Sequence, residues 1–524
     1  MSTVSSSTAD PRPPRQVAVV DIGSTSIRMQ ISQINTDGSI EKVESLSFGV
    51  SIGKDTFAVG AISKKTIEEC VRVLKLYQEK LREYGITDPR EIRVVATSGV
   101  RDASNGLAFL DRVYIATGLQ IEPFNEAELH RVTYLGIQPF FQAYPEIFSG
   151  RTIVCEVGGG TTEALVLEKE DVTYSRSFRL GSIRLRKALD AYDAPVAKTS
   201  RLLESQVNHY VHQIFAMGGN KPARYVAMGG EIRFLTNQLH RTFREGQLAE
   251  ITIQELKEFT EGVLAQSPER LVTRFHINQA EAESLGPALY AHLAIATMFQ
   301  SETIYVANVN LRDGLIKEIA QGYSWSESVQ SQVIRSAERL GEKYQIDSTH
   351  ATHVAFLGCQ IFDQLQDFLQ LDSRHKLILH LASLLHEVGQ FVNVRSYHKH
   401  SMYLIRNSEF FGIDSNDLLL VSLVARYHRR ATPQPMHEGY AQLDREQRVL
   451  VAKLSAILRI AIALDVTRTL RIQAIQCSVS KNQILIRVNN PSELAIEHAE
   501  IEKASQMLED LFGVQVVLVN TRHE

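Results

Sequence analysis

Two glycine-rich turns, each opened by an acidic residue, are the part of this sequence best suited to chemistry. Asp21 ends an apolar run in VAVVDIGSTSIR (residues 17–28), and Glu156 takes the same position in IVCEVGGGTTE (residues 153–163). Small residues after a strand leave backbone N–H groups and hydroxyls free to hold phosphate, and the carboxylate can hold a hard divalent cation. The pair therefore predicts a duplicated fold with a metal-bound phosphate held between its halves.

The hydrophobic pattern around each turn predicts the strands and helices that must position it. Apolar runs of strand character alternate with amphipathic helical segments, which is typical of a mixed sheet covered by helices. We expect two α/β lobes, residues 17–128 and 129–320, with a cleft between them. Besides the strands that begin at 17 and 153, the predicted strands are 28–34, 40–49, 92–96, 164–168, 173–180, 225–230 and 303–307, and the predicted helices are 65–84 and 129–144.

Outside the two lobes, the sequence predicts three further regions. Residues 1–16 are polar and rich in proline and serine, so we expect a disordered tail. Residues 321–468 lose the strand pattern and predict an all-α domain. Residues 469–524 predict a small α+β domain, with strands at 472–480, 483–488 and 514–519 and a helix at 495–512.

Composition limits the classes of protein to which the chain can belong. It has 524 residues, and 56 Lys and Arg against 60 Asp and Glu give a charge of −4, which argues against a general nucleic-acid binder. Four cysteines without CxxC spacing indicate a reducing compartment. No apolar run reaches the ~18 residues that a membrane span needs, and no secretory leader is recognisable. We expect a cytoplasmic enzyme that makes no membrane contact.

A series of motifs in this sequence resembles that of the exopolyphosphatase and guanosine pentaphosphate phosphohydrolase family. The resemblance covers essentially the whole chain and implies two actin-like (ribonuclease H-like) ATPase lobes with a cleft between them. The matching motifs are VVDIGSTSIRM (19–29), VVATSGVRDASN (94–105), IEPFNEA (121–127), EVGGGTTE (156–163), LGSIRL (180–185), YVAMGGEIR (225–233) and LRDGL (311–315).

The resemblance also implies the roles of individual residues. Glu126 would be the general base that activates water, and Glu163 the second catalytic carboxylate. Where the family has Glu-Ala-Arg, this chain has Glu-Ala-Glu, so Glu128 is the alternative base. Thr25 and Glu156 stand where asparagine and aspartate are usual. The residues implied to bind phosphate are Ser24, Thr25, Arg101, Asn105, Gly158, Gly159, Gly160, Thr161 and Thr162, and those implied to hold Mg²⁺ are Asp21 and Glu156.

The predicted helical domain contains histidines and a basic stretch. His350, the pair His386-Glu387 and Asp465 resemble the H…HD…D metal ligands of the HD phosphohydrolase superfamily, but the pair ends in glutamate, which leaves metal binding open. A row of cations would suit a long polyanion, because each phosphate contact adds affinity without sequence specificity. The row consists of Arg395, Lys399, His400, Arg406, Arg429 and Arg430.

The resemblance implies a Mg²⁺-dependent exopolyphosphatase that releases terminal orthophosphate from inorganic polyphosphate, with or without activity on guanosine pentaphosphate. Three alternatives stay open: a dedicated guanosine pentaphosphate 5′-phosphatase, an actin-like ATPase or kinase that uses the same turns for ATP, and a non-catalytic regulator that binds alarmones. By the same resemblance we expect a homodimer, and the charge balance predicts no nucleic acid as partner.

Overall fold

A computed structural model of the chain describes residues 13–191, 199–244, 246–321, 327–429, 431–480, 483–489 and 494–520. The chain separates into two compact units, Met1–Ser326 and Glu327–Glu524, close to the predicted boundary between residues 320 and 321. Within the described ranges, no helix combines the length and the apolar character needed to cross a lipid bilayer.

The first sheet of unit 1 carries the first glycine-rich turn. Its elements are β1 (Arg15–Ile22), β2 (Ser26–Ile34), β3 (Ile40–Gly49), α1 (Ile52–Val59), α2 (Lys64–Glu83), β4 (Ile92–Ala96), α3 (Ser98–Arg101), α4 (Gly106–Thr117), β5 (Ile121–Pro123) and α5 (Glu126–Ile137). The strand order is β3-β2-β1-β4-β5. Strands β1 to β3 form antiparallel hairpins, whereas β4 runs parallel to β1 and β5 parallel to β4.

The second sheet of unit 1 repeats this arrangement around the second turn. Its elements are α6 (Phe140–Ala143), α7 (Pro145–Phe148), β6 (Arg151–Val157), β7 (Thr162–Glu168), β8 (Asp171–Phe178), α8 (Ser182–Ala191), α9 (Thr199–Met217), β9 (Arg224–Met228), α10 (Gly230–Gln238), β10 (Leu248–Thr252), α11 (Ile253–Leu264), α12 (Pro268–Phe275), α13 (Gln279–Met298), β11 (Thr303–Ala307) and α14 (Leu311–Ala320). The strand order β8-β7-β6-β9-β11 matches the first sheet strand for strand, and β10 adds an antiparallel edge beside β11.

The core of the first sheet explains why β1 is apolar without alternation. Ala18 and Val20 pack into a cluster with α2 and α4 on one face, and Val17 and Val19 pack with α5 and α14 on the other. A strand buried on both faces is apolar at consecutive positions. Helix α14, which follows the last strand of the second sheet in the chain, therefore packs against the first sheet.

The structure differs from the sequence predictions at several element boundaries. The helix predicted over 129–144 is broken into α5 and α6, because Pro139 lacks the N–H that would continue the helical hydrogen bonds. The predicted lobe boundary at 128/129 falls inside α5. Strand β1 begins at Arg15, inside the predicted tail, whose residues 1–12 lie outside the described part. Strands β5 and β10 were not predicted from the sequence.

Unit 2 is helical with a small sheet. Its elements are α15 (Glu327–Lys343), α16 (Ser348–Leu369), α17 (His375–Leu385), α18 (Tyr397–Arg406), α19 (Ser415–Arg426), α20 (Arg445–Leu464), β12 (Ile475–Val479), β13 (Gln483–Val488), α21 (Ala495–Phe512) and β14 (Gln515–Asn520). The strand order is β12-β13-β14. Helix α21 packs on α20, so the predicted boundary at 468/469 does not separate two compact units.

Candidate active site

The two glycine-rich turns adopt the same local structure. In the first, the Gly23 N–H donates to the Ser26 carbonyl at 3.0 Å, and in the second the Gly158 N–H donates to the Thr161 carbonyl at 2.8 Å. Among the turn and loop backbone hydrogen bonds of the described residues, none is donated by the N–H groups of Ser24, Thr25, Gly159 or Gly160. These donors are therefore available for the oxygens of a bound phosphate.

The turns lie directly opposite each other across the cleft. A Cβ atom added to Gly159 would lie 3.0 Å from the Cβ of Ser24, and one added to Gly160 would lie 2.3 Å from the Cζ of Phe57. Glycine at these positions thus allows the second turn to approach the first lobe closely. Each turn also anchors a helix start: the Gly53 N–H donates to the Ser24 carbonyl at 2.8 Å, and the Ser182 N–H to the Gly158 carbonyl at 2.9 Å.

The acidic residues that open the turns lie near arginines. Asp21 accepts a hydrogen bond from Arg312 at 3.1 Å, and both side chains are buried. Burial raises the pKa of Glu156 to about 7, and the nearby charges of Glu163 and Asp21 add to this effect, while Arg233 opposes it. A carboxyl with so high a pKa is one that a bound cation would help to ionise.

Glu163 is held in a defined orientation on β7. Its Oε2 contacts the Nε2 of His130 at 2.9 Å and accepts a hydrogen bond from the Ser177 hydroxyl. Burial favours the protonated acid, but His130, Ser177 and Thr161 outweigh it and hold the pKa of Glu163 below its usual range. Its second oxygen, Oε1, is buried and has no hydrogen-bond partner within the described part of the chain. That oxygen is available to a water molecule, a cation or a phosphate.

The two candidate bases, Glu126 and Glu128, lie in different environments. Glu126 remains accessible to solvent, yet the surrounding protein partly removes its carboxyl from water. This desolvation and the charge of Glu163 raise the pKa of Glu126, and the charges of Arg101 and His130 oppose the rise only in part. Glu128 instead completes a capping box: its Oε2 accepts from the Asn125 N–H at 3.0 Å, and the Asn125 side chain accepts from the Glu128 N–H at 2.9 Å. The environment of Glu126 thus suits proton transfer, whereas Glu128 stabilises the helix start.

Other predicted phosphate ligands divide into two groups. Arg101 lies near Glu126, donates to the Phe124 carbonyl at 3.3 Å and is 3.5 Å from Asp102. Asn105 lies apart from it, because its side chain is hydrogen-bonded in both directions to the backbone of Ile62. The hydroxyl of Thr162 is likewise engaged, by the Leu180 carbonyl. The side chains of Asn105 and Thr162 therefore make structural hydrogen bonds to the backbone of neighbouring loops.

Four further residues complete the site, and of these the sequence indicated only Arg184, which lies in LGSIRL, as a candidate phosphate ligand. His130 lies four residues after Glu126 on α5, so one helical turn brings both to the same face. Arg312 and Arg233 lie in the motifs LRDGL and YVAMGGEIR, without a role having been predicted for them. Arg184 links the lobes by donating to the Gly160 carbonyl at 2.8 Å and to Asp102 at 2.7 Å. The spacing of four on α5 was the readable signal for His130.

A buried triad fixes α5 and α14 relative to the first sheet. Glu318 on α14 contacts Arg93 of β4 at 2.5 Å and Arg131 of α5, and all three side chains are buried. Because α5 carries Glu126 and α14 carries Arg312, this triad holds the two helices that bring those side chains to the cleft.

A cavity of about 320 Å³ adjoins the first turn inside unit 1. Its wall is partly apolar, and three cations and two carboxylates border it. The lining residues include Ser24, Thr25, Val50, Lys54, Phe57, Ala58, Ile183, Arg186, Lys187, Asp190 and Glu283. The volume lies within the usual range of small-ligand sites, roughly 300–1,000 Å³.

The carboxylates fit a hard divalent cation. Asp21, Glu156 and Glu163 influence one another electrostatically, and Oε1 of Glu163 is orphaned within the described residues. They do not form a closed set of three ligand atoms within 4.8 Å in the described part of unit 1. Mg²⁺ does not require such a cage, since it binds through one or two carboxylates, waters and substrate phosphates.

The histidines predicted as HD-type ligands do meet in unit 2. Ligand atoms of His350, His386 and Glu387 lie within 4.8 Å of one another, and all three residues are buried. Asp465 lies behind them, with its Oδ2 2.7 Å from the Nδ1 of His350.

The predicted cation row is only partly free. Arg395, Lys399 and Arg429 are exposed, and the Arg429 guanidinium lies 4.9 Å from the Tyr397 ring centre. Arg406 is 3.6 Å from Glu438. Arg430 lies outside the described residues, and His400 is half-buried. Burial lowers the pKa of His398, and the charges of Arg429, Lys399, Arg426 and His400 lower it further, which shows that these cations surround one spot.

Comparison with known proteins places these features in context. The family model described as "Ppx/GppA phosphatase family" matches residues 31–322, and that described as "Ppx/GppA phosphatase, domain III" matches residues 334–506. The guanosine-5′-triphosphate,3′-diphosphate pyrophosphatase of Photobacterium profundum is 20% identical over 507 residues, covering 94% of this chain and 96% of the relative. The Vibrio vulnificus protein of that name is 24% identical over 464 residues, covering 86% of each. The crystal structure of an exopolyphosphatase from Cytophaga hutchinsonii shares the fold with a TM-score of 0.52 and 18% identity, over 59% of this chain and 98% of that one.

Proposed function

Because the chain belongs to the Ppx/GppA phosphatase family, we propose that it hydrolyses the terminal phosphoric anhydride bond of inorganic polyphosphate or guanosine pentaphosphate and releases orthophosphate. The observation that carries this proposal is the pair Glu126 and Glu163, whose pKa values are shifted in opposite directions at one end of the paired turns. Separated pKa values let Glu126 take up a proton from water while Glu163 stays charged. The repeated strand order supports the assignment of the two lobes to the actin-like ATPase type.

The proposed reaction is attack of water on the terminal phosphorus. Glu126 accepts a proton from the water as the new P–O bond forms, and the electrons of the breaking P–O bond leave with the shortened chain or nucleotide. A raised pKa strengthens Glu126 as a base. Glu163 stays ionised and orients the site through Oε1. Asp21 and Glu156 would hold Mg²⁺, which neutralises phosphate charge when bound.

The turns and Arg101 would position the phosphate. The free N–H groups of Ser24, Thr25, Gly159 and Gly160 supply donors from both lobes, so a bound phosphate would lie between them. Such positioning and charge neutralisation supply most of the catalysis in phosphoryl transfer.

The assignment of the base is tested with Glu126→Gln and Glu128→Gln on a panel of long polyphosphate and guanosine pentaphosphate with Mg²⁺. We expect Glu126→Gln to lower kcat about 10²–10⁴-fold, the usual contribution of a general base. Glu128→Gln is the matched control, because glutamine can also complete a capping box, and it should keep most activity. The opposite order would make Glu128 the base, and no phosphate release by the wild type from either substrate would refute the proposed function.

The cavity beside the first turn favours guanosine pentaphosphate as a substrate, because its apolar wall could accept a base and Lys54 a phosphate, while Arg186 pairs with Asp190 at 2.8 Å. Ala58→Trp would fill the cavity, while Val59→Trp places the same side chain next to it, at a position that is 82% exposed. We expect Ala58→Trp to lower kcat/KM for guanosine pentaphosphate much more than for short polyphosphate, and Val59→Trp to change neither. Equal losses on both substrates would contradict a nucleoside site here.

We further propose that the exposed cations of unit 2 bind long polyphosphate. Arg395→Gln, Lys399→Gln and Arg429→Gln combined should weaken binding of long chains and flatten its salt dependence, because each lost phosphate contact reduces counterion release. Lys503→Gln, an exposed cation of the same unit, is the control. If the triple variant bound long polyphosphate with the same salt dependence as the wild type, the proposal would be refuted. The expected homodimer and cytoplasmic location stay predictions, and sedimentation equilibrium tests the former.

A further inference from the structure

Unit 2 contains a buried cluster of possible metal ligands that the proposed phosphatase reaction does not use. His350, His386 and Glu387 are 3%, 1% and 8% exposed, and one ligand atom from each lies within 4.8 Å of the others. Three polar groups that converge in an interior are costly unless they are satisfied by hydrogen bonds or by a ligand.

His386 has an unsatisfied nitrogen that requires an explanation. Its Nδ1 lies 2.7 Å from the Ser383 carbonyl, which can only accept, so Nδ1 carries the hydrogen. In the neutral ring Nε2 then holds a lone pair, and this buried atom has no hydrogen-bond partner among the residues that the structure describes. A fixed tautomer with a free, buried nitrogen is the arrangement found in metal-binding histidines.

His350 is oriented by a carboxylate in the same way. Its Nδ1 lies 2.7 Å from Oδ2 of Asp465, while Oδ1 of Asp465 accepts from the Leu470 N–H at 3.1 Å and contacts Nδ1 of His353 at 3.3 Å. Asp465 is not among the residues of the described part whose ligand atoms lie within 4.8 Å of one another. It leaves Nε2 of His350 as the ligand atom and forms the carboxylate behind it.

Glu387 supplies the third ligand, and Arg468, which is partly exposed, balances its charge. Its Oε1 accepts from Arg468 at 2.6 Å, and Arg468 also contacts Asp347 at 3.2 Å. A carboxylate has two oxygens, so Oε2 remains for coordination. Arg468 is partly exposed and connects the cluster to solvent.

We propose that unit 2 binds a divalent transition-metal ion of the zinc type through Nε2 of His350, Nε2 of His386 and the carboxylate of Glu387. Two imidazole nitrogens and one carboxylate suit Zn²⁺, whereas Mg²⁺ and Ca²⁺ take oxygen ligands. Three protein ligands leave a coordination position open for water or an anion. The ligand set differs from the H…HD…D order in the sequence, because glutamate replaces the paired aspartate and Asp465 moves behind His350.

The test is a Zn²⁺ titration of the full chain, stripped of metal and held in excess Mg²⁺ so that the oxygen-rich site of unit 1 does not compete. We expect one high-affinity equivalent of Zn²⁺ in the wild type and in His437→Gln, a control histidine of the same unit. His386→Gln and Glu387→Gln should lose that equivalent, and Asp465→Asn should weaken it ~10–100-fold. Equal binding by wild type and His386→Gln would overturn the proposal, as would no binding by the wild type.

A second measurement covers variants that fail to fold. X-ray absorption of the Zn²⁺-loaded wild type should show nitrogen ligands from two histidines at about 2.0–2.1 Å. A shell made only of oxygen, or one containing sulfur from Cys359, would place the ion elsewhere and refute the site. Neither readout depends on phosphatase activity, so failure of the proposed function would leave this test intact.

Discussion

The carboxyl of Glu156, whose side chain is half-buried, should make unit 1 less stable as pH rises, and Glu156→Gln should remove that effect. Burial raises the pKa of Glu156 from its ordinary 4.5 to about 7 in the folded state. The folded protein therefore binds more protons than the unfolded chain between these values, so the contribution of Glu156 to stability falls as pH rises through this window. Arg233 offsets the cost of ionising Glu156 only in part.

The magnitude follows from the size of the shift. A difference of about 2.5 pKa units, at about 1.4 kcal/mol each, amounts to about 3 kcal/mol, of which about 2.5 kcal/mol falls between pH 5 and pH 8. Other groups in unit 1 act in the opposite direction. Burial lowers the pKa of His292 to about 3, so its contribution increases as pH rises towards 6.5. The difference between wild type and Glu156→Gln isolates the one residue.

The assay is hydrogen exchange of the β6 and β7 amides in EDTA, which reports the free energy of unfolding of unit 1 separately from unit 2. Between pH 5 and pH 8 the wild type should lose about 2.5 kcal/mol relative to Glu156→Gln. Adding Mg²⁺ should reduce that difference, because a bound cation favours the ionised carboxylate. A difference below about 1 kcal/mol in EDTA would refute the reasoning from burial, and no response to Mg²⁺ would refute Glu156 as a ligand.

Three further predictions follow from the site. Arg101→Gln should move the acidic limb of the kcat/KM profile to higher pH, because the charge of Arg101 lowers the pKa of Glu126; an unmoved limb would contradict Glu126 as the titrating base. Glu318→Gln should cost about 3–5 kcal/mol in unfolding experiments, since two buried arginines would lose their shared partner. Gly160→Ala should lower kcat/KM with the fold kept, because its methyl group would lie 2.3 Å from Phe57, whereas Gly230→Ala, whose methyl group meets nothing within 4 Å, should be neutral.

Much of the fold follows from short stretches of sequence. The predicted strand at 40–49 matches β3, and the helix predicted over 65–84 differs from α2 by one residue at each end, because apolar periodicity and turn residues act locally. Likewise, glycine at 159 and 160 indicates close backbone approach before any partner is known. The break near Pro139 within the predicted helix 129–144 is also a local effect, because proline has no N–H to donate to the helical hydrogen bonds.

The sequence by itself determined the two acidic turns, the strands that lead into them and the candidates Asp21 and Glu156, because each depends on residues close together in the chain, and the resemblance to the family added Glu163. Only the tertiary structure decided which distant side chains meet. Arg312 reaches Asp21 across 291 residues, and His130 reaches Glu163 across 33. The same packing directs Glu128 to a helix cap and Glu126 to the cleft. Two glutamates only two residues apart look equivalent in the sequence, so the sequence does not show which of them faces the cleft. Ionisation and hydrogen bonding depend on burial and on neighbours, and both are set by long-range packing.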